Sequence, residues 1–590
     1  MQLRILAALA TAAPALAATF NNPVVFSDFP DNDVSKGPDG AYYFSASSFQ
    51  FSPGAPIMKS TDLVNWELIG HSVPDVAAFG STYELNTTGN PSYVGGVWAS
   101  TMRYRKSNNK WYWIGCVGFS KTYVYTSSNV ASGWELSSTI NTCYYDCGLL
   151  IDDDDSMYVV YGSKTISIAK LSADGLSQVS TKEVFSAPSG MSTIEGSRLY
   201  KIGNYYYVLG DNPGGITLIW RSTSLYGSWE YQILQKGISG PVGGLIDQGS
   251  LVEAADGNWY FMSCSWSYPA GRVPLLAPIT WSNGWPKLTT SSTGAWAASY
   301  PAPGALGPTT KWTGTDSFDG NALSSAWEWN FSPVTSKYKV SNGLTLYTAT
   351  VTDDLYKASN TLTHRLDGGQ PIGTMHMDFS NMADGDKAGL AAFRDQTAFL
   401  AVTRSGGTYT LSMVAGATQS TTDWKTTSTG TVKASVNLPR GSVYLRVAMD
   451  VRPSGSKTAT FYYSTDGNSF KQLGTSYALT TSWSYFTGYR YGLFNFATKA
   501  LGGSVKVISF TSSNADETTA TAKVELVAAV AAKVAGASSS ASAMGTVVTM
   551  TRPVSQTSAA SHVATIASSP AKTSAAAAAA STTAKSCRAK

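Results

Sequence analysis

One short pattern recurs five times in the first 300 residues: a tyrosine on a strand that returns from a polar turn. It reads GAYYF at Tyr43, NKWYW at Tyr112, DSMYV at Tyr158, GNYYY at Tyr206 and GNWYF at Tyr260. The third copy, residues 144–162, is the clearest. YYDCGLLIDDDDSMYVVYG has two apolar runs joined by four aspartates, the signature of an antiparallel hairpin. Successive tyrosines are 69, 46, 48 and 54 residues apart, close to the span of a four-stranded unit. A second echo, a turn ending in Trp66, Trp134, Trp229 or Trp285, follows most copies. Four-stranded units that cannot bury both faces alone stack radially, which predicts an all-β, five-bladed β-propeller whose innermost strands line a channel.

Stepping back about twelve residues from each tyrosine reaches the strand nearest that channel. The residues there are Asp31, Ser100, Asp146, Glu195, and Gln248 or its neighbour Asp247. Carboxylates thus occupy the matching place in at least three units, and a carboxylate inside a fold needs a partner or a task. Asp33 competes with Asp31, two residues apart on one strand face.

The rest of the chain narrows what those acids can do. Only 14% of residues are charged, 12% are aromatic, and a net charge of +4 is spread without a basic cluster, so neither nucleic acid nor a membrane is an expected partner. Residues 1–18 have an early arginine, an apolar middle and an Ala-Leu-Ala end, which reads as a secretory signal peptide and predicts an extracellular protein. Sequons at Asn86 and Asn330 fit secretion. Of five cysteines, Cys116 and Cys264 fall four residues after their tyrosines and read as buried strand thiols, with a bond from Cys143 to Cys116 or Cys147 as an alternative.

The propeller is expected over 19–301, followed by a proline- and glycine-rich linker over 302–313. Alternating strands such as GLTLYTATV and VYLRVAMDV then predict a two-sheet β-sandwich over 314–513. Residues 514–590 are alanine, serine and threonine with few large apolar groups, which predicts a disordered tail. The propeller holds one histidine, His71, and the sandwich His364 and His376, which gives Ser-His-Asp or Cys-His chemistry and a histidine zinc site little support. Paired acids remain: two carboxyl groups about 6.5–9.5 Å apart can hydrolyse a glycosidic bond, one protonating the leaving oxygen and one activating water. Flat rings that can stack on sugars lie nearby, notably Trp98 and Phe49, with Phe51, Trp266 and Tyr268. The aspartates at 152–155 lack the glycine and distal glutamate of a calcium loop and read as a solvated turn.

The runs NPVVFSDFPDNDVSK, GVWASTMRY, YYDCGLLIDDDDSMY and IEGSRLYK resemble glycoside hydrolase family 43, with a leaning toward its fungal, secreted arabinofuranosidases and β-xylosidases. FDGNALSSAWEWN onward resembles that family's concanavalin-like sandwich. The resemblance implies an inverting mechanism with Asp31 as general base, Asp146 as the acid that tunes and orients the proton donor, and Glu195 as general acid. It implies sugar contacts from Arg272 and Gln248 beside Trp98 and Phe49. No cofactor is required. Asp247-Gln248-Gly249 stands where the family usually shows a histidine that helps hold an ion or water in the channel, which leaves calcium there an open alternative.

The expected activity is release of terminal α-L-arabinofuranosyl units from arabinoxylan or its oligosaccharides by a monomer. A β-xylosidase with the same acids, and a propeller that binds carbohydrate without cleaving it, are the alternatives. The sandwich is expected to shape the substrate site rather than to bind sugar on its own.

Overall fold

The computed structural model describes residues 18–85 and 90–516. The leader-like segment through residue 17, the sequon at Asn86 and the tail from residue 517 lie outside the described residues.

Five four-stranded antiparallel sheets form the first part of the chain, four of them built from consecutive strands and the first skipping the short strand Phe51–Ser52. Their innermost strands are Asp33–Lys36, Thr101–Arg105, Gly148–Ile151, Glu195–Ile202 and Ile246–Glu253. Each lies against the next and the fifth against the first, which closes a ring around an axis. Burial falls outward, as the pattern of turns implies: Ile246–Glu253 is buried until its last residue, whereas the outer strand Glu230–Lys236 is largely exposed. Trp66, Trp134 and Trp229 each sit one residue ahead of an outermost strand, and Trp285 opens the last one. Outside the blades, Thr19–Asn21 pairs with Ser299–Pro301.

The second part is a sandwich of an eight-stranded and a nine-stranded sheet. The eight-stranded sheet does not stop at the domain border. Its edge strand is Phe51–Ser52, a loop segment of the first blade that pairs with Trp327–Asn330. Propeller and sandwich form one compact unit. At their junction His71 and Arg365 both bind Glu328, at 3.0 and 2.8 Å, and Arg490 donates to its other oxygen. Burial alone would raise the Glu328 carboxyl, but Arg365 and Arg490 override it and hold that carboxyl well below the usual range.

Several expectations change here. Cys116 is no free thiol but is bonded to Cys143, whereas Cys264 is buried and free. Asn330 is buried and its amide donates to Tyr93 Oη at 3.0 Å, so the second sequon is shut inside the domain junction. In the fourth blade the tyrosine that matches the others is Tyr207, not Tyr206. It pairs with Tyr200, as Tyr43 pairs with Ser35, Tyr158 with Leu150 and Tyr260 with Val252.

That one-residue difference sorts the acids. Val34, Leu149, Leu199 and Leu251 hold equivalent places on the inner strands, and three residues before them stand Asp31, Asp146, Gly196 and Gln248. All four are left-handed, with φ of 59°, 46°, 62° and 57°. In the second blade the place belongs to Ala99, not Ser100, because Met102 is the equivalent strand residue. Glu195 lies one residue earlier, in the place Asp247 takes in the fifth blade, and both precede a bulge in the pairing.

Candidate active site

A left-handed residue at the entrance to an inner strand turns its side chain across the axis instead of along the blade. Non-glycine residues pay for that backbone, and aspartate tolerates it better than most. This turn presents the Asp31 and Asp146 carboxyls, while in the fourth blade the left-handed residue is Gly196 and Glu195 stands just before it.

Asp31, from the first blade, is almost fully buried. Ser47 Oγ donates to its Oδ2 at 2.6 Å, and Arg272 Nη1 donates to its Oδ1. Asp146, from the third blade, accepts at one oxygen from the Gly196 N–H at 3.1 Å and from Gln248 Nε2 at 3.2 Å. Glu195, from the fourth, accepts from Tyr145 Oη at 2.8 Å and is the most exposed of the three. Burial, then repulsion from Glu195 and Asp31, pushes the Asp146 carboxyl well above its ordinary value. Burial also raises Glu195; the Tyr145 hydroxyl and the Arg272 charge oppose that rise and the Asp31 charge adds to it. Two raised carboxyls so close together retain a proton between them, while Asp31 faces a fixed cation.

Asp33 does not compete with Asp31. It turns into the channel, accepts from Arg103 Nη1 at 2.6 Å and from the Met102 N–H at 2.9 Å, and lies 3.4 Å from Arg198 Nε. Arg103 and Arg198 hold its carboxyl low against the effect of burial. Arg198, fully buried, spends its remaining donors on the main-chain oxygens of Cys147, Asp31 and Asn32. One guanidinium thereby fixes the backbones that carry Asp31 and Asp146.

The residues expected to touch sugar divide. Trp98 is partly exposed, its Nε1 donating to Val94 O at 2.8 Å. Phe49 is buried, its ring 5.6 Å from that of Phe486. Gln248 spends its amide on Asp146, and Arg272 spends its guanidinium on Asp31, between the rings of Trp266 and Phe486. Both are therefore supports of the acids in this structure. Phe486 and Trp483 come from the sandwich and carry no sequence signal that would place them here. Trp483, 53% exposed, lies 5.9 Å from Trp266, and Phe119, 45% exposed, stacks on Tyr145. Tyr145 and Arg198 were findable: each lies within three residues of an acid in the motifs YYDCG and IEGSR.

A channel calcium does not fit the residues present. Calcium takes six to eight oxygens. Around Asp247 stand Asp211, its hydrogen-bonding neighbour, and Glu195, fewer oxygens than calcium takes, and Asp247 Oδ2 already accepts from the Gly214 N–H at 3.3 Å. Among the described residues no three His, Cys, Asp or Glu are grouped to hold a metal. Burial lifts the Asp211 carboxyl to about 7 despite hydrogen bonds from Thr217 and Asp247, and burial with repulsion from Asp211 lifts Asp247 further. Asp152 and Asp153 are tied to Lys201 and Asp155 to Arg105, while Asp154 accepts from Ser156.

Residues 20–286 match the model for glycosyl hydrolases family 43, and residues 315–511 match that for the beta xylosidase C-terminal concanavalin A-like domain. A solved structure from work on engineering a family 43 active site toward both endo-xylanase and exo-arabinofuranosidase activity is 42% identical, with a TM-score of 0.80 over 84% of this chain and all of that one. A beta-xylosidase of Formosa agariphila is 25% identical over 84% of this chain and 90% of its own length. The non-reducing end alpha-L-arabinofuranosidase BoGH43B of Bacteroides ovatus is 30% identical over 46% of this chain, and the match spans 53% of that protein. The leaning toward fungal enzymes is not borne out by these relatives. The five-bladed propeller, the sandwich behind it and these matches together make the chain a member of glycoside hydrolase family 43.

Proposed function

We propose that the chain is a secreted, inverting exo-glycosidase that removes terminal α-L-arabinofuranosyl units from arabinoxylan or its oligosaccharides. The observation that carries this reading is the pairing of unlike carboxyls: Glu195 partly exposed and raised, Asp31 buried against Arg272 and Ser47. Glu195 donates its proton to the glycosidic oxygen as the bond to the anomeric carbon breaks. Asp31 takes a proton from a water that attacks that carbon from the opposite face. Arg272 and Ser47 occupy one lone pair on each Asp31 oxygen, which leaves acceptor capacity for the water. The proton that the Asp146 and Glu195 carboxyls retain between them is the one Glu195 delivers, and Asp146, accepting from the Gly196 N–H, fixes the strand entrance from which Glu195 projects.

The sandwich loop that brings Phe486 and Trp483 to the propeller walls one side of the site, which suits a terminal sugar rather than the middle of a chain. Cleavage of terminal xylose is the second reading, favoured by the beta-xylosidases among the relatives. No cofactor takes part. The Cys116–Cys143 bond supports an oxidising, extracellular setting.

Incubation with aryl α-L-arabinofuranoside, aryl β-D-xyloside and arabinoxylan, with the product anomer followed by NMR, tests the reading. Release of arabinose with inverted configuration is the expected result. Xylose release alone replaces it with the second reading, and retention of polymer without cleavage of any substrate leaves a binding protein.

A further inference from the structure

We infer that Asp28 is a positioning residue that clamps the sandwich loop and the backbone of Arg272 to one another, so that the substrate site exists only when both domains hold it. The inference rests on the reading of Asp31 as a member of the reacting set.

The Asp28 carboxylate is buried and reaches in two directions. Its Oδ1 accepts from the N–H of Arg272 at 2.7 Å, and its Oδ2 accepts from the N–H of Gly488 at 2.9 Å. Arg272 belongs to the fifth blade and grips Asp31. Gly488 belongs to the sandwich, two residues after Phe486, whose ring lies 5.3 Å from the Arg272 guanidinium. A single carboxylate therefore sets where the guanidinium stands and where the ring that covers it stands.

The surrounding backbone is shaped for this contact. A Cβ at Gly271 would come within 2.2 Å of Asp28 Oδ1, and one at Gly488 within 2.0 Å of Ala270 O. Two glycines from different domains thus leave room for the two chains to meet at this side chain. Auxiliary bonds run along the same seam: Tyr489 N–H to Pro269 O at 3.1 Å and Tyr268 Oη to Phe486 O at 2.8 Å. The main-chain oxygen of Asp28 accepts from Arg365, one of the two arginines on Glu328, so the clamp continues into the domain junction. Only a group with two acceptors and no donor serves both N–H groups. Asparagine would set an NH2 against one of them.

Displacing a substrate-positioning group by about 1 Å can cost on the order of a hundredfold in rate. The test compares full-length Asp28→Asn, Gly488→Ala and the double variant with wild type on whichever aryl glycoside the enzyme turns over, with Tm measured alongside. Asp28→Asn is expected to lower kcat by roughly tenfold or more and to raise KM, since both the grip on Asp31 and the covering ring shift. Gly488→Ala drives a Cβ into the Ala270–Gly271 backbone ahead of Arg272, parting the two chains at the clamp, and is expected to raise KM and to lower kcat less than Asp28→Asn does. The double variant should be no worse than Asp28→Asn, because the loop anchor is already lost. Wild-type kcat and KM for Asp28→Asn, measured well below its Tm, reduce Asp28 to a structural residue and overturn the inference. Should Asp28→Asn not fold, an unchanged KM in Gly488→Ala overturns it and a raised one upholds it. Wild-type kcat in Asp31→Asn would instead overturn the active-site reading itself.

Discussion

An aryl leaving group of low pKa departs without being protonated, whereas a sugar hydroxyl in a polymer needs a proton as it leaves. Loss of Glu195 should therefore cost far more on arabinoxylan than on an activated aryl glycoside. Loss of Asp31 should cost both alike, because water must be activated in either reaction. Glu195→Gln is expected to lower kcat/KM on polymer by about 10²- to 10⁴-fold and on a nitrophenyl glycoside by much less, with Asp31→Asn down by a similar large factor on both. Equal losses for the two variants on both substrates would contradict the assignment. Asp211 offers a different measurement. Its folded-state pKa is raised from 3.8 to about 7, so between those values the folded chain binds more protons than the unfolded one and stability falls as pH rises. Asp211→Asn does not titrate. Its Tm relative to wild type is expected to climb from pH 4 to pH 7 and then level, and a difference flat across that range would show that Asp211 ionises normally.

The inner-strand entrance is the element that makes the site, and it was half legible in the sequence. The tyrosine period found the blades and landed on Asp31 and Asp146, because hairpins built alike put equivalent residues at equal distances. It reached Glu195 by a step of eleven from Tyr206, not at the place equivalent to Asp31 and Asp146, which is Gly196. The fourth repeat offers three successive tyrosines, and its hairpin, with Tyr200 opposite Tyr207, is one residue shorter than the one with Leu150 opposite Tyr158. Neither the left-handed turn at Asp31, Asp146 and Gln248 nor the disulfide choice between Cys116 and Cys147 follows from residue types alone. Gly196 tests the entrance directly. It holds φ of 62°, and a Cβ there would meet Gln248 Cγ at 2.8 Å, so Gly196→Ala strains the backbone and displaces the amide that holds Asp146. A loss of activity larger than the loss of Tm would explain is the expected outcome, read from kcat and a melting curve together. The disulfide joins the second blade's Lys110–Val117 strand to the loop that leads into Asp146. Closing 27 residues, it is expected to contribute roughly 3 to 4 kcal/mol by chain entropy, so Cys143→Ser should lower Tm without abolishing the fold.

The partnership of the two domains was the least legible part, since contacts between residues some 250 or more positions apart leave no periodic trace. Phe51 reads as a propeller aromatic, yet its strand extends the sandwich sheet and the Arg490 guanidinium lies 3.6 Å from its ring centre. His71 and Glu328, each unremarkable alone, meet at the centre of the junction. A buried carboxylate with two arginines and a histidine around it is poor evidence of net stabilisation, but removing it strands cations without a partner, at a cost of about 3 to 5 kcal/mol. Glu328→Gln is therefore expected to lower Tm sharply. The pH dependence supplies the check. Because the Glu328 pKa is depressed in the folded chain, its contribution is complete above the unfolded value of 4.5 and is lost as pH falls toward the lower folded value. The gap in Tm between wild type and Glu328→Gln should thus be widest above pH 4.5 and narrow below it. If the domains dock mainly through the shared sheet, the gap will be small and flat across the same range, and the propeller will keep its activity in the variant. If the charge network holds them, activity and Tm will fall together, because Phe486 reaches Arg272 only while the sandwich stays in place.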